Sequence, residues 1–185
     1  MPWDASAAML ERQLSMFPTN AYIDDERTVM RLHTTPKVVV DCLHEAGIPY
    51  QVVSHWRSES ASGEAAALGI DPREVAKTIV LATPGGFVRA VVRAADRIDL
   101  HKARQVVGSH VALATEQELT RAYPEYELGA VPPIADGHAD RIVIDERLRD
   151  VSVVYIEGGT HEQSLLVRTT DLVDQESASV AAISE

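Results

Sequence analysis

Lysine and cysteine are both scarce in this sequence of 185 residues. The only lysines are Lys37, Lys77 and Lys102, and the only cysteine, Cys42, cannot form a disulfide within the chain. Cys42 falls in the apolar pattern of a predicted helix, which favours a buried thiol. The formal net charge of −11 argues against a protein that coats nucleic acid, because such binding depends on neutralising phosphates. Contact with one end of an RNA is still compatible with that charge.

Long apolar runs are also missing. No run approaches the roughly 20 residues that a membrane-spanning helix needs. Met1 to Ala8 lack the basic segment and the apolar core of a secretory signal. We therefore predict a cytoplasmic protein with no part in the membrane.

The common signatures of metal, nucleotide and serine-hydrolase chemistry are absent as well. No histidine pair encloses a glutamate at helical spacing, and there is no cysteine pair. The sequence has neither a phosphate loop nor a Gly-x-Ser-x-Gly elbow. Asp136, His138 and Asp140 form a loop cluster that could bind a metal, but polar loop residues are usually just solvated. We predict no metal and no cofactor.

The composition divides the chain into three segments. Residues 1–33 are predicted to be an N-terminal extension, and residues 34–175 one compact domain. Residues 176–185 are small and polar, so we predict a flexible tail.

Turn and capping residues mark the elements of the compact domain. Thr35-Pro36 predicts the start of a helix that ends at Gly47. Two β-rich runs around Pro84-Gly85-Gly86 predict a hairpin. Thr115 and Glu118 have the spacing of a capping box. Strands occur both in adjacent hairpins and separated by helices, which favours a mixed sheet with helices packed around it over a doubly wound parallel sheet.

Three features of the domain could belong to a functional site. Lys77 begins an apolar β-run, where its ammonium group either extends into solvent or holds an oxygen in a cleft. The stretch Gly129-Ala130-Val131-Pro132-Pro133 is either a rigid connection or a wall of backbone groups facing a ligand. The stretch Glu157-Gly158-Gly159-Thr160-His161 is either a plain hairpin turn or part of a pocket.

In their order and spacing, segments between Thr34 and Val173 resemble the YbaK / prolyl-tRNA-synthetase-associated editing domain family. The segments that carry the resemblance are Gly47-Ile48-Pro49-Tyr50, His55, Ala76 to Ala82, Arg97 to Lys102, Gly129 to Pro133, Ile142 to Asp145, and Gly158-Gly159. The resemblance implies an α+β fold with a curved mixed, largely antiparallel sheet and surrounding helices. It also implies an aminoacyl-tRNA deacylase, a hydrolase that cleaves the ester of mischarged tRNA in trans.

The resemblance further implies roles for individual residues. Lys77 would be the catalytic residue, holding the acceptor end near the scissile ester. The residues that would line the substrate pocket are His55, Thr78, Gly129, Ala130, Val131, Pro132, Pro133, Gly158, Gly159 and His161. The implied partners are a tRNA acceptor end carrying a small aminoacyl group and, as a second candidate, an aminoacyl-tRNA synthetase.

Two questions stay open at this point. One branch of the family has Gly-Gly-Ile-Ser-Pro in the loop, where this chain has Ala130 and Pro132 in place of the second glycine and the serine. The edited amino acid could therefore be cysteine, alanine or another small one. The alternative function is a non-catalytic family member that binds a synthetase, tRNA or a small ligand.

Overall fold

The computed structural model describes residues 35–185, and the predicted extension over residues 1–33 lies outside them. The helices are α1 (Lys37–Glu45), α2 (Ala61–Leu68), α3 (Leu100–Val107), α4 (Glu116–Ala122) and α5 (Thr169–Val173). The strands are β1 (Tyr50–Ser54), β2 (Ala76–Thr83), β3 (Gly86–Arg93), β4 (Ala112–Leu113), β5 (Arg141–Asp145), β6 (Val153–Glu157), β7 (Gln163–Arg168) and β8 (Ala178–Ala181). None of the described helices is long and apolar enough to cross a bilayer.

The strands form two sheets. Five of them make a mixed sheet in the order β4-β2-β3-β5-β8, and three make an antiparallel sheet in the order β1-β7-β6. The predicted hairpin is β2 and β3, whereas β5 runs parallel to both β3 and β8. The sheets meet where Val75 bridges Tyr155. The α+β prediction is confirmed, with two joined sheets in place of one curved sheet.

The alternation of side chains along β2 builds two hydrophobic cores. Ala76 and Val80 face the main core, which also takes residues from α1 and from β6 and β7 of the smaller sheet. Leu81 faces the other side of the sheet, where Ala103 of α3 covers it. A strand buried on both faces in this way is held in one register, because a slip of one residue would exchange the two faces.

Local capping residues bound most of the helices. The Asp99 side chain accepts from the backbone of the first turn of α3, and Gly108 ends that helix with a φ of 76°. The capping box of Thr115 and Glu118 is present at α4. The α1 helix begins after Pro36 as predicted, but Thr35 does not cap it. Its hydroxyl instead donates to Gln163 Oε1 at 3.0 Å.

The C-terminal residues are not a flexible tail, and that prediction is wrong. Ala178–Ala181 form β8, which pairs with β5, and Ile183 beyond it is fully buried. The backbone N–H groups of Ile183 and Ser184 donate to Asp145 Oδ2 at 2.9 and 2.8 Å. The small residues of this segment carry little strand propensity of their own, so the strand depends on pairing with β5.

This arrangement makes Ile183 a stability determinant. Replacing Ile183 with alanine should lower the free energy of unfolding by about 2–5 kcal/mol, because the side chain fills a closed core. Urea denaturation measures the change, and Glu176→Ala at an exposed position is the matched control. Equal denaturation midpoints for wild type and Ile183→Ala would show that the C-terminal strand does not belong to the fold.

Candidate functional site

A small polar cavity of about 40 Å³ lies where the end of β1, the first turn of α2 and the turn between β6 and β7 meet. Such a volume admits a few water-sized groups. Three of the predicted residues, His55, Gly129 and His161, line it. Glu157 and Thr160, from the stretch read as a hairpin turn or part of a pocket, also line it. Sequence reasoning missed the polar side chains of Glu64 and Ser164.

A hydrogen-bonded chain of three side chains forms one wall of this cavity. His55 Nδ1 lies 2.9 Å from the Trp56 carbonyl oxygen, which can only accept, so Nδ1 carries a proton. The other ring nitrogen of His55 lies 2.9 Å from Ser164 Oγ. Ser164 Oγ in turn donates to Glu64 Oε1 in a short hydrogen bond. Because Ser164 and Glu64 are both buried, this wall is screened from bulk water.

Glu157 brings a second carboxylate to the cavity. It ends β6 at the point where the two sheets diverge, and its Oε2 accepts from the backbone N–H of Thr78 at 3.0 Å. Burial raises the pKa of Glu157 well above its ordinary value, and the charge of Glu64 raises it further. Burial also raises the pKa of Glu64, although the hydrogen bond from Ser164 opposes that shift. The two acids therefore share a site that favours their protonated forms.

His161 is fixed at the mouth of the cavity by the loop before Gly129. Its backbone N–H donates to Glu127 Oε2 at 2.9 Å, and its Nε2 lies 2.9 Å from the Leu128 carbonyl oxygen. Arg57 lies 3.2 Å from the same Glu127 oxygen. Burial alone would raise the pKa of Glu127, but these donors lower it. Glu127 is thus an ionised anchor for the His161 backbone.

The predicted glycines of the β6–β7 turn support the cavity without lining it. A Cβ on Gly159 would lie 2.8 Å from Pro36 Cδ, and the residue has a φ of +89°. A Cβ on Gly158 would lie 2.9 Å from the Gln163 carbonyl oxygen. Both positions therefore need glycine, because the chain entering α1 packs directly on Gly159 and the backbone of β7 lies directly against Gly158.

Only part of the predicted loop Gly129 to Pro133 faces a cavity. Gly129 lines the polar cavity and also an apolar one of about 130 Å³, to which Val131 contributes. Ala130, Pro132 and Pro133 are buried in the body of the protein. The buried Arg89 side chain holds the loop in place. Its Nη1 donates to the carbonyl oxygens of Pro132 and Ile134 at 2.9 and 3.0 Å.

Lys77 lies beside the polar cavity and is not among the residues that line it. Its Nζ donates to the carbonyl oxygens of Ala94 and Asp96 at 3.2 and 2.7 Å. Burial lowers the pKa of Lys77, while the charges of Asp96 and Glu157 act to raise it. Two of the three ammonium protons are engaged, which leaves one for a ligand. Thr78, the next predicted residue, contacts the site because its backbone N–H donates to the Glu157 carboxylate.

The loop cluster of Asp136, His138 and Asp140 is part of a buried ionic network. Ligand atoms of Glu125, Asp136 and His138 lie within 4.8 Å of one another, as metal ligands would. However, both oxygens of Asp136 accept from Arg89 at 2.8 Å, and Asp140 accepts from Arg89 Nε at 3.0 Å. A guanidinium already supplies the positive charge, so this cluster is built to hold the loop. The absence of a bound metal stays a prediction.

The fold and the cavity define a small α+β domain with a polar pocket at the junction of two sheets. The profile of the aminoacyl-tRNA editing domain matches residues 57–175, and the chain belongs to that family. One similar crystal structure is of a protein proposed to be a trans-editing enzyme for prolyl-tRNA synthetase. It is 26% identical over 83% of this chain and 99% of that chain, with a TM-score of 0.75.

A second similar structure is of a hypothetical protein. It is 25% identical over 80% of this chain and 99% of that chain, with a TM-score of 0.74. Among curated proteins no sequence match is found. The family resemblance read from the sequence is confirmed.

Proposed function

We propose that this protein hydrolyses the aminoacyl ester of mischarged tRNA in trans. The observation that carries the proposal is that the polar cavity falls inside the editing-domain match. All of the residues that line it except His55 lie within residues 57–175.

The proposed hydrolysis requires the protein mainly to position the reactants. An aminoacyl ester is already activated, so its hydrolysis depends on orienting the reactants and stabilising the oxyanion. In this proposal the ribose hydroxyl of the substrate assists the attack, and the remaining proton of Lys77 holds an oxygen of the acceptor end. The small size of the cavity restricts the aminoacyl group to a small one, such as alanine or cysteine.

The partners follow from the same proposal. A chain with a net charge of −11 can hold an acceptor end through a few contacts, without neutralising a long stretch of phosphates. The similarity to a protein proposed to be a trans-editing enzyme for prolyl-tRNA synthetase supports an association with that synthetase. We place the reaction in the cytoplasm, where tRNAs are charged.

A deacylation assay with a panel of mischarged tRNAs tests the function. We expect the full chain to release alanine or cysteine from tRNA(Pro) faster than buffer does, and to leave prolyl-tRNA(Pro) intact. Because the cavity contains no complete set of metal ligands among the described residues, the rate should persist in excess EDTA. A loss of rate in EDTA that one divalent ion restores would overturn the metal-free mechanism.

The assay also separates the alternative function. If the chain binds mischarged tRNA or a synthetase but no member of the panel loses its amino acid faster than in buffer, the deacylase proposal is wrong. The protein is then a non-catalytic member of the family.

A further inference from the structure

The acids of the polar cavity have hydrogen-bonding capacity that the fold does not use. Glu64 accepts from Ser164 through Oε1, and Glu157 accepts from Thr78 through Oε2. Within residues 35–185, the only other hydrogen-bond donor to either carboxylate is the Thr78 side chain, at Glu157. Two acids that face one cavity of about 40 Å³ repel each other unless a proton or another cation intervenes.

A third acceptor in the same cavity is Thr160. Only 7% of the residue is exposed, and its Oγ1 has no hydrogen-bond partner within the described part of the chain. A buried hydroxyl without a partner is costly, so natural proteins rarely keep one away from water or a ligand. Thr160 lines the cavity together with Glu64 and Glu157.

We propose that Glu64, Glu157 and Thr160 form a binding site for the α-ammonium group of the aminoacyl ester. An ammonium has three N–H donors, and the site offers one free acceptor on each of these three residues. Its positive charge would relieve the repulsion between the two acids. This inference rests on the proposed function for its natural ligand, but the site itself can be tested without tRNA.

The other ionisable groups around the site decide how its affinity should depend on pH. They are His55 at the end of β1, His161 on the β6–β7 turn, Lys77 on β2 and the exposed Glu59 at the cavity mouth. The raised pKa values of Glu64 and Glu157 mean that protons compete with the ammonium for the carboxylates. Affinity should therefore rise from about pH 5 to pH 7, and fall again above roughly pH 8 as the ligand amine loses its proton.

The direct test is a titration of the full-length, isotope-labelled protein with alaninamide, followed by NMR. Alaninamide carries the ammonium group but no ester, and N-acetylalaninamide carries an uncharged acetylated nitrogen in its place. We expect alaninamide to shift the amides of Thr160 and Ser164, and N-acetylalaninamide to bind about tenfold more weakly or not at all. Equal affinity of the two ligands would overturn the ammonium site.

Variants identify the groups that hold the ligand. Glu157→Gln and Glu64→Gln should each lower the affinity for alaninamide by about tenfold or more. Each should also flatten the rise in that affinity between pH 5 and pH 7. Glu116→Gln, at an exposed acid on α4, should change neither. Thr160→Val removes a hydroxyl that has no partner in the described fold, so it should weaken binding without lowering the denaturation midpoint. Unchanged affinity in Thr160→Val and Glu157→Gln would overturn the assignment even if Glu64→Gln failed to fold.

A comparison of alanyl-tRNA with N-acetylalanyl-tRNA separates this inference from the proposed function. If both are hydrolysed at the same rate, the deacylase stands and the ammonium site is wrong. If alaninamide binds as expected and no mischarged tRNA is hydrolysed, the ammonium site stands and the deacylase is wrong.

Discussion

Replacing Lys77 with alanine should slow deacylation by about 10²-fold or more, the scale of losing one donor to a developing oxyanion. The Lys77 ammonium is partly buried, and it retains one proton for the substrate after bonding to Ala94 and Asp96. Lys77→Arg should recover little activity, because a planar guanidinium does not fit a place made for a point charge. Deacylation rates of wild type, Lys77→Ala and Lys77→Arg, measured with the same mischarged tRNA, test this prediction.

Lys102 supplies a matched control for this experiment. Its Nζ also donates to a backbone carbonyl, that of Ser184, at 2.6 Å, but it lies on α3 and does not line the polar cavity. Lys77→Ala also removes two hydrogen bonds, so it should lower the free energy of unfolding by about 1–3 kcal/mol. The rates must therefore be compared well below the melting temperature of Lys77→Ala. If folded Lys77→Ala deacylates as fast as Lys102→Ala, Lys77 is a structural residue and the catalytic prediction is wrong.

Replacing Arg89 with methionine should destabilise the fold by about 3–5 kcal/mol, the cost of leaving a buried charge without its partner. The Arg89 side chain is 1% exposed and bonds to Asp136, Asp140 and two loop carbonyls. Arg73→Met removes an ion pair whose arginine is 63% exposed, so it should change the free energy of unfolding little. Urea denaturation of the two variants at neutral pH measures both changes.

The pH dependence gives the Arg89 prediction a second readout. Burial would raise the pKa of Asp136, but hydrogen bonds and charge from Arg89 lower it below the ordinary value of 3.8. A lowered carboxyl pKa stabilises the fold above the unfolded value and loses that effect as pH falls through the folded value. The difference between wild type and Arg89→Met should therefore be largest above about pH 5 and shrink in acid. A difference that is small at neutral pH, or constant with pH, would contradict this account of the network.

The sequence predicts the helices and strands well because local residues determine where they begin and end. Asp99 and Gly108 bound α3, and Pro84-Gly85-Gly86 turns β2 into β3, as their chemistry requires. The β8 strand was missed for the opposite reason. Nothing local distinguishes its small residues from a frayed end, and only the pairing with β5 makes them a strand.

The site shows the same division between local and tertiary information. Gly129 and His161 lie in stretches singled out from the residues themselves, and His55 was found through the family resemblance. The structure brings all three to one cavity. The same reasoning passed over Glu64, because a carboxylate in an alanine-rich helix is expected to face solvent. Its burial depends on Ser164, which lies 100 residues away in the sequence. Lys77 was found by composition and resemblance, yet its direction toward Ala94 and Asp96 is a tertiary contact that no pattern contains.

The polar cavity also links the proposed deacylation to complete folding. Its wall joins His55 to Ser164 across 109 residues and Ser164 to Glu64 across 100, and β7 must pair with β1 to bring them together. Contacts between such distant parts of the chain form late or only cooperatively, because a long loop must close first. A chain still emerging from the ribosome, or cut before β7, has the sequence of α2 and β1 but no cavity. If the proposed function is right, such incomplete chains leave the charged tRNAs around them intact.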